Sequence, residues 1–147
     1  MTDREIYKFW LSEVRGTRYL HPDRWIQLKP LIKKHKIASV LEFGSGVSTL
    51  LFAHNGLSVV SYETDKDYME LVHSLCEPNV DFRLWDNLSA DISGSFDLAL
   101  VDGILPRSLQ IELALQHAVI VAIDDYEFTD WHRIDDRLSK MSIFLKD

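Results

Sequence analysis

The 147-residue sequence has a single cysteine, Cys76. No internal disulfide can form, and a reducing cytoplasm is the expected setting. Cys76 falls late in a predicted helix and reads as a plain core thiol rather than a nucleophile. No apolar run approaches the roughly 20 residues that span a bilayer, so no membrane partner is expected. The opening Met1-Thr2-Asp3-Arg4-Glu5 mixes acid with base and has no apolar core behind it, unlike a signal peptide. Repeats, low-complexity tracts and linkers are absent, which points to one domain over 1–147, long enough for a real core. Positive charge is scarce and unevenly placed: net charge is −7, yet residues 1–40 carry nine Lys and Arg against four Asp and Glu. A basic segment can contact nucleic acid. Lys33-Lys34-His35-Lys36, however, is short and lacks interleaved aromatics, so docking on the acidic remainder, or plain solvation, is the favoured reading.

Thr2-Asp3-Arg4-Glu5 has the form of a capping box, and Ile6, Phe9, Trp10 and Val14 follow at helical spacing. A second helix is predicted from Pro22-Asp23, presenting Trp25, Leu28, Leu31 and Ile32, with a kink or restart at Pro30. These helices would form a cover over 1–37 for a sheet core over 38–147. From residue 38 strands and helices alternate. Strands are predicted at 38–43, 57–62, 80–85, 96–101 and 118–123, and helices at about 47–55, 65–76, 107–117 and 129–140. Such alternation predicts an α/β, Rossmann-like, doubly wound and mostly parallel sheet.

The richest stretch is Val40-Leu41-Glu42-Phe43-Gly44-Ser45-Gly46-Val47-Ser48-Thr49. An apolar strand runs into an acid, two glycines and a Ser-Thr pair that opens a helix. Glycines let backbone approach a ligand, and a helix N-terminus offers free N–H groups. A second apolar run ends in Glu63, 21 residues after Glu42, where an acid can take both hydroxyls of a ribose. A dinucleotide fingerprint wants a third glycine where Thr49 stands, and Glu42 would repel a pyrophosphate. A ligand with a cationic end suits Glu42 better. An NAD-type protein is therefore the weaker alternative.

The pattern resembles motif I of the class I S-adenosylmethionine-dependent methyltransferases, Glu/Asp-x-Gly-x-Gly-x-Ser/Gly. The resemblance continues through Glu63, Trp85-Asp86-Asn87, Phe96 to Gly103 and Ile123-Asp124-Asp125-Tyr126, covering roughly residues 38 to 130. It implies the methyltransferase strand order with reduced C-terminal strands. It also implies that Gly44, Ser45 and Gly46 pass under the methionine part of S-adenosylmethionine, that Glu42 receives its ammonium group directly or through water, and that Glu63 holds the ribose. Asp86 would take the adenine amino group, with Trp85 or Asn87 beside the ring. Trp85 could equally be a core aromatic, and Ser48 and Thr49 could simply cap the helix.

Asp102, Asp124 and Asp125 form a second cluster at the ends of neighbouring strands, and carboxylates brought together need a proton or cation between them. Oxygen ligands favour a hard ion such as magnesium. Metal-dependent O-methyltransferases of the family carry Asp and then Asp-Asn at these places; this chain has Asp-Asp. Arg107, after Asp102-Gly103, could pair with Asp102 or with a substrate carboxylate. Trp131 and His132 could line an acceptor pocket, with His132 as a candidate base, although an exposed helical histidine is the plainer reading. The same holds for His21 ahead of Pro22.

Two functions follow from the resemblance. One is a methyltransferase acting on a small-molecule acceptor, with O-methyl transfer favoured and Asp102, Asp124 and His132 as the catalytic candidates. The other is a protein of the same fold that holds S-adenosylmethionine or another nucleoside without turnover, or acts as a subunit. The apolar tail Met141 to Leu145 has room for one short strand, which is expected to cover the edge of the fifth strand. A second copy in a homodimer is the alternative cover, with Phe9, Trp10 and Trp25 as another source of interface.

Overall fold

A computed structural model describes residues 1–14, 19–85, 92–103 and 106–124 with side chains, and the backbone of 141–145. Helix α1 (Asp3–Glu13) starts on the expected capping box: the Thr2 hydroxyl accepts the Glu5 N–H at 3.3 Å, and the Glu5 carboxylate accepts the Thr2 N–H at 2.6 Å. Helix α2 (Pro22–Lys34) opens on proline, whose missing N–H costs nothing in a first turn. It runs through Pro30 in one piece, so of the kink or restart expected there the restart does not occur. Trp25 and Leu28, buried on one face of this helix, hold it against the core.

Six strands then form one sheet: β1 (Ser39–Phe43), β2 (Ser58–Glu63), β3 (Val80–Leu84), β4 (Phe96–Val101), β5 (Ala118–Asp124) and β6 (Met141–Leu145), in the order β3-β2-β1-β4-β5-β6. The first five are parallel. β6 runs antiparallel to β5, with Ala122 opposite Ile143, so the tail covers that edge as expected. The edge that suggested a homodimer is thus paired within the chain. The order of strands reverses at β1, which has β2 on one side and β4 on the other. That is the switch point at which open α/β sheets bind ligands.

Helices α3 (Val47–His54), α4 (Lys66–Leu75) and α5 (Arg107–His117) provide the crossovers. Side chains alternate along each strand, so the sheet has two apolar faces. Val40, Val59, Leu98, Leu100 and Ile120 join one cluster with α1, α2 and α3; Leu41, Phe43, Ala99, Val101 and Ile123 join the other with α5. Val47 to Ala53 of α3 are buried all round. Such a helix needs cover on its outer side, and α1 and α2 supply it. Trp25 packs edge-on against Phe52 at 5.6 Å, and Trp10 against Tyr68 at 6.4 Å. Asp3 ties the three helices together, accepting from Trp25 Nε1 at 2.9 Å, from Asn55 Nδ2 at 3.0 Å and from Lys29. Burial acts to raise the Asp3 pKa, but these donors outweigh it and hold the carboxyl below its usual range. Trp10 and Trp25 are therefore core residues, not an interface. No helix among the described residues is long and apolar enough to cross a membrane.

Candidate functional site

The ends of β1, β2 and β4 are laced together by backbone. Gly44 N–H donates to Tyr62 O at 2.8 Å, Asp102 N–H to Phe43 O at 2.9 Å and Trp85 N–H to Glu63 O at 2.8 Å. Gly44 has φ +92°, and a Cβ there would lie 2.9 Å from the Asp102 carbonyl. Both the turn and the close approach of the β4 loop require glycine. Gly46 differs. Its backbone is extended, and a Cβ would meet only the Tyr68 hydroxyl, at 3.4 Å. Space above Gly46 is thus bounded by a side chain rather than by backbone.

Glu63 turns back onto this loop. Its carboxyl accepts the Ser45 N–H at 2.9 Å and the Asp65 N–H at 3.4 Å. Burial pushes its pKa up, and these backbone donors oppose the rise. Beside it is a small cleft lined by Phe43, Gly44, Tyr62, Glu63, Trp85 and Gly103 among others. The chain leaves this cleft into 86–91 after Trp85 and 104–105 after Gly103, segments outside the described residues.

The cleft has an aromatic wall. Phe43 stacks on Tyr62 at 6.0 Å and lies 5.3 Å from Trp85. Trp85 is buried, as a core aromatic would be, yet its Nε1 has no hydrogen-bond partner among the described residues. A buried indole N–H usually finds an acceptor. On the far side Gln110 of α5 clamps Gly103, its amide accepting from Gly103 N–H and donating to Gly103 O, each at 3.1 Å.

Glu42 does not open on this cleft. It shares the sheet face of Val40, beneath α3, and is fully buried. Its carboxyl accepts from Ser48 Oγ at 2.6 Å, from Ser61 Oγ at 2.7 Å and from Thr49 Oγ1. Burial raises its pKa to about 7 despite these three hydroxyls. Thr49 Oγ1 also accepts the Gly46 N–H at 2.9 Å, and Ser61 Oγ lies 2.7 Å from Ser45 Oγ. With the Ser61 proton given to Glu42, Ser45 must be the donor in that pair. Ser48 and Thr49 therefore do more than cap: they join Glu42 to the glycine loop. The acid expected to meet a ligand's ammonium group reaches the loop only through hydroxyls.

Val101 pairs with Ile123, so Asp102 and Asp124 follow one another on adjacent strands. Both have arginine partners. Arg107 lies 3.6 Å from Asp102 Oδ1, and Arg24 Nε donates to Asp124 Oδ1 at 3.3 Å. His21 caps α2 through Asp23 N–H at 3.3 Å and is exposed. Asp86, Asn87, Asp125, Tyr126, Trp131 and His132 lie outside the described residues, as does the helix predicted at 129–140.

Sequence reasoning missed Tyr68, Ser61, Gln110 and Arg24. Burial raises the Tyr68 pKa, and Glu63, Glu42 and Asp102 raise it further, so the phenol keeps its proton near three acids. An aromatic in the first turn of the helix after Glu63 was the available signal. The other three had none, because only folding brings them to the strand ends they engage.

No family model and no curated protein matches this sequence. Solved structures do. The chain is similar to an O-methyltransferase from Bacillus cereus in complex with SAH, at TM-score 0.67 and 20% identity over 84% of this chain and 65% of that one. It is similar to TomG, an O-methyltransferase from Streptomyces achromogenes in complex with SAM, at TM-score 0.60 and 18% identity over 73% and 57%. A methyltransferase-like protein from Silicibacter pomeroyi DSS-3 matches at TM-score 0.61 and 17% identity over 90% and 89%. The chain spans about 65% of the length of the Bacillus cereus enzyme. These likenesses show the fold, that of the class I S-adenosylmethionine-dependent methyltransferases.

Proposed function

We propose that this chain binds S-adenosylmethionine at the ends of β1, β2 and β4 and passes its methyl group to the oxygen of a small-molecule acceptor. The observation that carries the reading is the cleft itself: a glycine loop tied to the Glu63 carboxylate, facing an aromatic wall whose indole N–H has no partner among the described residues. Gly44 to Gly46 would hold the methionine part, Glu63 the ribose hydroxyls, and Trp85 with Tyr62 the base, with Asp86 following Trp85 in the chain. Solved structures of similar fold include O-methyltransferases in complex with SAH and with SAM, which supports the choice of ligand.

When bound, S-adenosylmethionine supplies an electrophilic methyl group on a sulfonium. The protein's part is then to position, to exclude water and to hold protons. Glu42, through Ser48, Thr49 and Ser61, fixes the loop in its extended course at Gly46. Gln110 fixes Gly103 beside it. Protonated Tyr68 stands over Gly46 as a donor. The reading routes no step through a metal ion. Asp102 and Asp124 carry arginine partners, and no three His, Cys, Asp or Glu gather as a cation site among the described residues. His132 is the base this reading assigns, and the single cysteine supports a cytoplasmic setting.

Binding without turnover is the second reading, favoured by those same arginine pairs, which leave neither strand-end acid a ready base. A thermal-shift panel with S-adenosylmethionine, S-adenosylhomocysteine, NAD and ATP tests the site. Stabilisation of about 2.7 kcal/mol is expected at 100 times the dissociation constant for the first two compounds. Stabilisation by NAD alone would contradict it. Release of S-adenosylhomocysteine over an acceptor panel, lost in His132→Ala, separates turnover from holding.

A further inference from the structure

We propose that Arg107 and Arg24 stand in place of a divalent cation among the acids that end β4 and β5, so that this end of the sheet works without a metal. Metal-dependent members of the family that the chain resembles would hold an ion at the places of Asp102, Asp124 and Asp125; the surroundings of Asp102 and Asp124, the two among the described residues, do not fit one. Arg107, in the first turn of α5, reaches between the two strands. Its Nη1 donates to the carbonyl oxygens of Val101 at 3.0 Å and Asp124 at 2.8 Å, while Nη2 lies 3.6 Å from Asp102 Oδ1. One planar fork thereby engages both strand ends. The two carbonyls would be natural ligands for a hard ion, and they are already accepting.

Arg24 completes the neutralisation from the other side. It belongs to α2, 100 residues from Asp124 in sequence, and its Nε donates to Asp124 Oδ1 at 3.3 Å. Both side chains are largely withdrawn from water, 13% exposed for Arg24 and 5% for Asp124. Each of the two described acids thus has a guanidinium group from within the chain beside it. A divalent ion on the Asp102 and Asp124 oxygens would sit against both guanidinium charges. Arginine does not deprotonate in proteins, so this positive charge is permanent. It also ties the basic N-terminal helices to the acidic sheet.

Calorimetric titration of the full chain with MnCl2, MgCl2 or CaCl2 alone tests this. No S-adenosylmethionine is present, so the result is independent of the cofactor reading. Wild-type protein should show no binding tighter than about 1 mM, and its melting temperature should be the same in EDTA and in excess cation. Arg107→Met should lower the melting temperature and, where it folds, gain cation affinity of about tenfold or more by freeing the two carbonyls. Micromolar binding to wild type that is lost in a double Asp102→Asn, Asp124→Asn variant would overturn the proposal. So would a folded Arg107→Met protein with unchanged stability and no cation affinity. Wild-type binding untouched by the double variant belongs elsewhere and leaves the arginines in the assigned place.

Discussion

The Glu63 carboxyl accepts the backbone N–H of Ser45 at 2.9 Å, so the acid that ends β2 is tied to the glycine loop that ends β1. Two strand ends thereby form one surface, and the properties of its parts can be separated by experiment.

The two glycines of the loop should respond differently. At Gly44, φ is +92° and a Cβ would press on the Asp102 carbonyl at 2.9 Å. Gly44→Ala should cost roughly 2 kcal/mol or more of stability in urea unfolding. At Gly46 the backbone suits any residue, and Gly46→Val should fold with nearly native stability but lose ligand binding, since its side chain grows towards Tyr68. Equal destabilisation by both changes would contradict this division.

Glu42 should leave a mark on the pH dependence of stability. Its pKa is raised from 4.5 to about 7, first by burial, so the folded state holds a proton that the unfolded chain releases. Stability contributed at low pH is therefore lost as pH rises from about 4.5 to about 7, and the loss is complete above that. Glu42→Gln should flatten this decline, on the order of 2–3 kcal/mol between pH 4.5 and 8, in urea unfolding at each pH. An identical slope in the variant would show that Glu42 is not the group responsible.

Arg24 and Asp124 form a largely buried pair. Removing one partner leaves the other desolvated, and Arg24→Met should destabilise by about 3 kcal/mol. Asp124→Asn should cost less in the Arg24→Met background than in wild type. Additive losses in that cycle would mean that the two do not interact.

Much of this architecture is legible in the sequence because each signal is local. The apolar runs of β1, β4 and β5 are bounded by glycine or acid, and the helices between them have the length of crossovers. The Thr2 capping box is closed by residues three apart. The β6 edge cover follows from the need of β5 for a partner. Two details needed the fold. Of the kink or restart expected at Pro30, the restart does not occur, since the burial of Trp25 and Leu28 holds α2 in one piece. The period-2 alternation of β1 puts Glu42 on the face of Val40, under α3, so its tie to the glycine loop runs through Ser48, Thr49 and Ser61. The arginine partners of Asp102 and Asp124 and the clamp of Gln110 on Gly103 depend on tertiary approach, and no spacing encodes them.

The most direct test of the cofactor site is calorimetric binding of S-adenosylmethionine to wild type, Glu63→Gln and Trp85→Phe. Glu63→Gln removes the charge that we propose faces the ribose, and Trp85→Phe removes the indole N–H while keeping an aromatic wall. We expect wild-type binding weakened about tenfold or more by each change, as loss of a hydrogen bond to a charged or buried group implies. Binding that is absent in wild type, or equally tight in all three folded proteins, would contradict the site.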